Sequence, residues 1–141
     1  MAKNSISSVL LVLPWSPNLP GGVSVVVRNL ARELSNVGAS PVMVVDTWDA
    51  PVHHFDSERV LNFRFALFGA LNLLGLIKGV LAFPGRIAAT LVVLREYRVS
   101  VVNFHYPSLD ALGIALLKRL SLFKGRLILS FHGTDVRRPE S

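Results

Sequence analysis

Four short runs of the chain are apolar almost throughout: Val9–Leu13, Val42–Val45, Val101–Phe104 and Leu127–Phe131. Each has the length of a strand. Unbroken apolar character, rather than alternation, marks strands covered on both faces, as in a parallel sheet. Between the first two runs the period changes. Val23, Val26, Val27, Leu30, Leu34 and Val37 recur at three and four, while Arg28, Arg32, Glu33 and Asn36 fall on the other side. That spacing predicts an amphipathic helix, with Gly38 as its C-terminal cap. Strand, loop, helix and strand then make one right-handed crossover unit. Thr47 to Glu58 is polar and contains Pro51, so it reads as a loop; Val60 to Phe65 suits a short strand. From Ala66 to Leu94 the chain is apolar but for Lys78, Pro84 and Arg86, which predicts two helices with a break near Pro84. Ser108 suits an N-cap and Asp110 a first helical turn, for a helix running to about Leu122; Lys124-Gly125 turns the chain into the last run.

These elements predict a single Rossmann-like α/β domain over residues 1–141, a parallel sheet flanked by helices. The length of 141 residues suits one domain and is short for two. Because the sequence stops soon after Phe131, the domain is expected to be incomplete, with apolar surface left uncovered near the last strand. Composition narrows the chemistry. The chain has no cysteine, which excludes a disulfide framework and a cysteine-based metal site. The net charge of +6 is spread over several segments with no long basic run. That pattern argues against nucleic acid and favours a phosphate-bearing substrate or an anionic membrane surface. Phe65, Leu67, Phe68, Leu71, Leu73, Leu74, Leu76 and Ile77, with Arg59, Arg64 and Lys78 beside them, suit either core packing or a segment lying in such an interface. Charges interrupt the region too often for a span of about 20 residues. Val9–Leu13, ended by Pro14, is too short for a signal peptide, so a cytoplasmic protein is expected, peripheral on the inner membrane face if it meets lipid.

In an open parallel sheet, ligands bind beyond the carboxyl ends of the strands. Three such ends carry candidate chemistry. Gly21-Gly22 opens the first helix, where backbone can approach a ligand and unpaired N–H groups favour a phosphate or sugar hydroxyl; a plain flexible turn is the alternative. His105 ends the third run, in the corner His105-Tyr106-Pro107. His132, Gly133 and Asp135 follow the last run, where His132 can donate to an anionic oxygen or accept a proton and Asp135 can orient it, bind a hydroxyl or cap the next helix. The Gly-x-Gly-x-x-Gly fingerprint is absent, which disfavours a dinucleotide oxidoreductase. His53-His54 lacks the further ligands a metal site needs, so neither metal nor cofactor is expected.

Gly21-Gly22-Val23 leading into Val27-Arg28-Asn29-Leu30-Ala31-Arg32-Glu33-Leu34 resembles the start of family 4 glycosyltransferases. Val101-Val102-Asn103-Phe104-His105-Tyr106-Pro107-Ser108 and Leu129-Ser130-Phe131-His132-Gly133-Thr134-Asp135 resemble the family's next two landmarks, in order. The resemblance implies the N-terminal, acceptor-side half of a GT-B fold, whose second, donor-binding domain is absent from these 141 residues. It also implies a retaining transferase moving sugar from a nucleotide-sugar cosubstrate to a glycan or lipid-linked acceptor, inactive as this chain alone. His132 then takes the catalytic role, facing the reacting sugar. Gly21, Gly22, His105, Gly133 and Asp135 become donor- or acceptor-binding residues. Ser24 departs from the pattern, since many members carry an acidic residue there. A non-catalytic membrane-associating or interaction module is the alternative reading.

Overall fold

The computed structural model describes residues 8–15, 21–45, 59–63, 65, 73–107 and 111–132. The elements run β1 (Ser8–Leu13), α1 (Gly22–Asn36), β2 (Ser40–Val45), β3 (Arg59–Asn62), α2 (Leu73–Glu96), β4 (Val99–His105), α3 (Ala111–Arg119) and β5 (Arg126–Ser130). All five strands pair in parallel, in the order β3-β2-β1-β4-β5. The four apolar runs are thus neighbouring strands of one sheet, as their unbroken apolar character predicts, and the fold is the α/β Rossmann-like arrangement.

Side chains alternate across the sheet, so each strand feeds two cores. Leu10, Val12, Val42, Val44, Val102 and Phe104 face α2 and α3 and pack with Val93, Leu94, Ile114 and Leu117. Val9, Leu11, Leu13 and Met43 face the other way, onto Val27 and Ala31 of α1. β5, at the sheet edge, leaves Ile128, Leu129 and the following Phe131 exposed among the described residues.

The turns follow from local chemistry. Gly38 sits at φ 81, with its N–H donating to the Ser35 carbonyl and that of Ala39 to the Leu34 carbonyl. This is the paired closure of a helix end that needs a left-handed residue, which glycine supplies without steric cost. Ser121 closes α3 in the same way at φ 58, through Ser121 to Lys118 and Leu122 to Leu117.

The region after Ala66 corrects one expectation. α2 is continuous from Leu73 to Glu96 with Pro84 inside it, so no break divides it there. Proline removes one intrahelical hydrogen bond and crowds the carbonyl four residues earlier, that of Val80. Val80, Leu81 and Pro84 all lie on the exposed side. Water can therefore satisfy the released carbonyl, and the flanking turns carry the helix through. Ile77–Glu96 is long and apolar enough to cross a membrane by length and composition alone, which the charge count had argued against. In the fold it is a layer helix, seated on the sheet through Thr90, Val93 and Leu94. Of the two readings of the stretch that begins at Phe65, core packing holds for Phe65 itself, which lies edge-on to Phe63 and Phe104. Arg64, Ala66–Asn72, the Thr47–Glu58 loop, Ser108 and Asp110 lie outside the described residues.

Candidate functional site

In this strand order β1 lies between the strand of one crossover and the strand of the other. Its helix α1 is on one face; α2 and α3 are on the opposite one. The crevice beyond the carboxyl ends of β1 and β4 is therefore the topological switch point, where ligands bind in such sheets. Described residues from three strand ends meet there.

His105 is the last residue of β4 and is 3% exposed. Its Nδ1 lies 3.1 Å from Nε2 of His132, two residues beyond β5. The ring planes are 25° apart and the centroids 5.3 Å apart. That separation matches the nitrogen–nitrogen distance plus a ring radius at each end, so the rings meet edge to edge along the hydrogen bond. Burial, and secondarily the neighbouring His132, lower the His105 pKa from 6.5 to about 4, so His105 is neutral at physiological pH. Tyr106 packs on the His132 ring at 5.1 Å, and Trp15, just past β1, packs on Tyr106 at 5.0 Å. Tyr106 holds φ 57, a left-handed backbone that side chains other than Gly, Asn and Asp rarely adopt. Such strain persists only where the surroundings enforce it and gathers at functional sites. Here the Tyr106 N–H donates to the Ser130 carbonyl at 3.2 Å, and the Ser130 hydroxyl donates to Asn103 Oδ1 at 2.8 Å. These two bonds tie β5 to β4 directly behind His132.

At the start of α1, Gly21 has φ 173, ordinary extended backbone. A Cβ at Gly21 or Gly22 would meet nothing within 4 Å. The described fold therefore does not itself require glycine at either position. Among the described residues no side chain caps the helix, and no acidic residue stands in its first turn. The first hydrogen bond runs from the Val25 N–H to the Gly21 carbonyl. The preceding N–H groups and the positive end of the helix dipole can therefore meet an anion. Ser24, in the same turn, is 1% exposed and its hydroxyl has no hydrogen-bond partner among the described residues.

The structure thus pairs His105 with His132 directly and places Gly21-Gly22 at the same carboxyl edge of the sheet. Gly133 and Asp135 lie outside the described residues, as do His53 and His54. Trp15, Asn103 and Ser130 were not singled out from the sequence, and Tyr106 appeared only as part of its corner. A signal existed for Trp15 and Tyr106, aromatic residues just past strand ends. Nothing in the sequence tied them to each other. Among the described residues no group of histidine and carboxylate side chains is arranged to hold a metal ion.

The chain is thus an all-parallel Rossmann-like α/β domain with polar and aromatic groups gathered at the carboxyl ends of β1, β4 and β5. The model of Glycosyltransferase Family 4 matches residues 20–141, and the chain belongs to that family. No curated protein sequence matches the chain.

Proposed function

We propose that this chain is the acceptor-side domain of a retaining glycosyltransferase that moves sugar from a nucleotide-sugar donor to a glycan or lipid-linked acceptor. The carrying observation is the His105–His132 pair at the switch point, on the carboxyl edge where the uncapped start of α1 also lies. Sugar transfer needs the departing diphosphate held and its developing charge stabilised while the acceptor hydroxyl lies against the sugar carbon. Gly21, Gly22 and the N–H groups that follow them suit an anionic oxygen. His132 suits a hydrogen bond at the reacting centre, with Gly133 and Asp135 as further binding residues. No cofactor or metal enters this reading. A GT-B cleft draws its groups from two domains, so this chain alone binds donor weakly and transfers nothing. An acceptor-glycosylation assay tests the proposal. We expect no turnover by the 141-residue chain. A longer protein that supplies the donor-binding domain is expected to turn over, with a loss on the order of 10²–10³-fold in its His132→Ala variant. Turnover by the chain alone, or full activity in the variant, would overturn it.

A second reading, association with an anionic membrane on the cytoplasmic side, is favoured by α2. Its outward face carries Ile77, Val80, Leu81 and Val92 exposed, with Lys78 near one end and Arg95 and Arg98 near the other. Apolar area edged by basic residues suits a helix lying in an anionic interface. Sedimentation with vesicles should show binding that needs anionic lipid and weakens with salt.

A further inference from the structure

We propose that Asn103 is a positioning residue for the candidate site: the hydrogen bond it accepts from Ser130 sets the register of β5, and through it the meeting of His132 with His105. A strand with one buried face and one wetted face holds its register by that contrast, since a slip of one residue turns its apolar side chains outward. β5 has little of the contrast. Leu127 and Leu129 stand on one face and Ile128 on the other, and both Ile128 and Leu129 are exposed. Among the described strands β5 is at the sheet edge, paired with β4. Its apolar pattern therefore does not choose between neighbouring registers.

A polar pair makes the choice. Asn103 is buried in β4. It alternates with Val102 and Phe104, which face α2 and α3, so it lies on the α1 side of the sheet with Val101. In the observed pairing Asn103 stands opposite Ile128 and His105 opposite Ser130. Ser130 thus shares that face, and its hydroxyl donates to Asn103 Oδ1 at 2.8 Å. A slip of one residue in either direction turns the hydroxyl to the opposite face and takes this donor from a buried side chain, which is costly. The same slip moves His132 by about 3.3 Å along the edge, out of its 3.1 Å contact with His105. The bond from the Tyr106 N–H to the Ser130 carbonyl holds the strand beside the pair. After a slip a neighbouring carbonyl of β5 could accept that bond, so it does not select the register. The meaning for sugar transfer rests on the proposed role of His132, whereas the register device does not.

Nuclear magnetic resonance of the full chain with ¹⁵N-labelled histidine detects the bond between the rings as a coupling between a His105 and a His132 nitrogen, whichever of the two carries the proton. We expect that coupling in the wild-type chain and in Ser130→Thr, which keeps the hydroxyl. Ser130→Ala should fold and lose it. Asn103→Leu separates positioning from stability, because it keeps the size of the side chain and adds apolar burial. A merely structural Asn103 predicts a folded Asn103→Leu variant with the coupling intact; we expect a folded variant without it. Persistence of the coupling in folded Ser130→Ala or Asn103→Leu would overturn the proposal, as would its loss in folded Ser130→Thr. Its absence from the wild-type chain would overturn the proposal whether or not the variants fold. Failure of the transfer assay would count against the role of His132 in catalysis and leave these spectra unaffected.

Discussion

His105 couples the site to the stability of the fold. Its folded-state pKa, about 4, lies below the value of 6.5 it has when unfolded. Between these values the unfolded chain takes up a proton that the folded chain refuses. This contribution to stability is therefore fully present above pH 6.5 and is lost as pH falls toward 4. The expected loss across that window is about 3 kcal/mol. Urea unfolding at a series of pH values should show it, and a folded His105→Asn variant should lack it. Ser121 gives an independent prediction. It occupies the left-handed position that closes α3 and is exposed. Ser121→Gly removes the steric strain at no loss of packing and should raise stability by about 0.5–1 kcal/mol, measured by the same unfolding. Both histidines of the site were legible in the sequence because each stands at the end of an apolar run. The bond between them was not, since it depends on β4 and β5 pairing in register, with His105 opposite Ser130. The strain at Tyr106 was hidden as well, because tyrosine carries no turn signal of its own.

At the scale of elements, the strands were the most legible part. Burial on both faces leaves almost no polar residue in β1 and little in β2, so these runs needed no periodicity to be found. α1 was equally clear, because one face meets the sheet and the other meets water. α2 was misread for the opposite reason. Its outward face is apolar too, so the two sides scarcely differ and Pro84 became the strongest local mark. A proline ends a helix only where the released carbonyl and the bend cannot be accommodated. At Pro84 both are accommodated on the solvent side. Pro84→Ala restores the hydrogen bond to the Val80 carbonyl and improves helix propensity, against a smaller gain in unfolded-chain freedom. The expected result is a net stabilisation of about 1–2 kcal/mol in denaturant unfolding. A loss of stability would mean that packing of α2 on the sheet depends on the distortion proline introduces.

At the scale of the whole molecule, the distribution of apolar surface separates two roles that composition merges. Residues with a packing role lie on the sheet-facing sides of the helices: Val93 and Leu94 of α2, Ile114 and Leu117 of α3, Val27 and Ala31 of α1. Leu81 and Val92 do not share that role. They are 78% and 60% exposed, on the side of α2 turned away from the sheet. The chain as a whole carries +6, so an anionic surface attracts it before any apolar contact forms. If the outward face of α2 meets lipid, the two contributions separate by experiment. The double substitution Leu81→Asp and Val92→Asp should leave the unfolding free energy within about 0.5 kcal/mol of wild type, as expected for exposed positions. The same variant should lose most of its sedimentation with anionic vesicles, because it removes apolar area and places two negative charges against the lipid. Lys78→Gln with Arg95→Gln should instead weaken binding chiefly at low salt, where unscreened attraction is largest. Unchanged vesicle binding by the aspartate variant would assign lipid contact to another surface. A large fall in its stability would make the outward face of α2 part of the packed core.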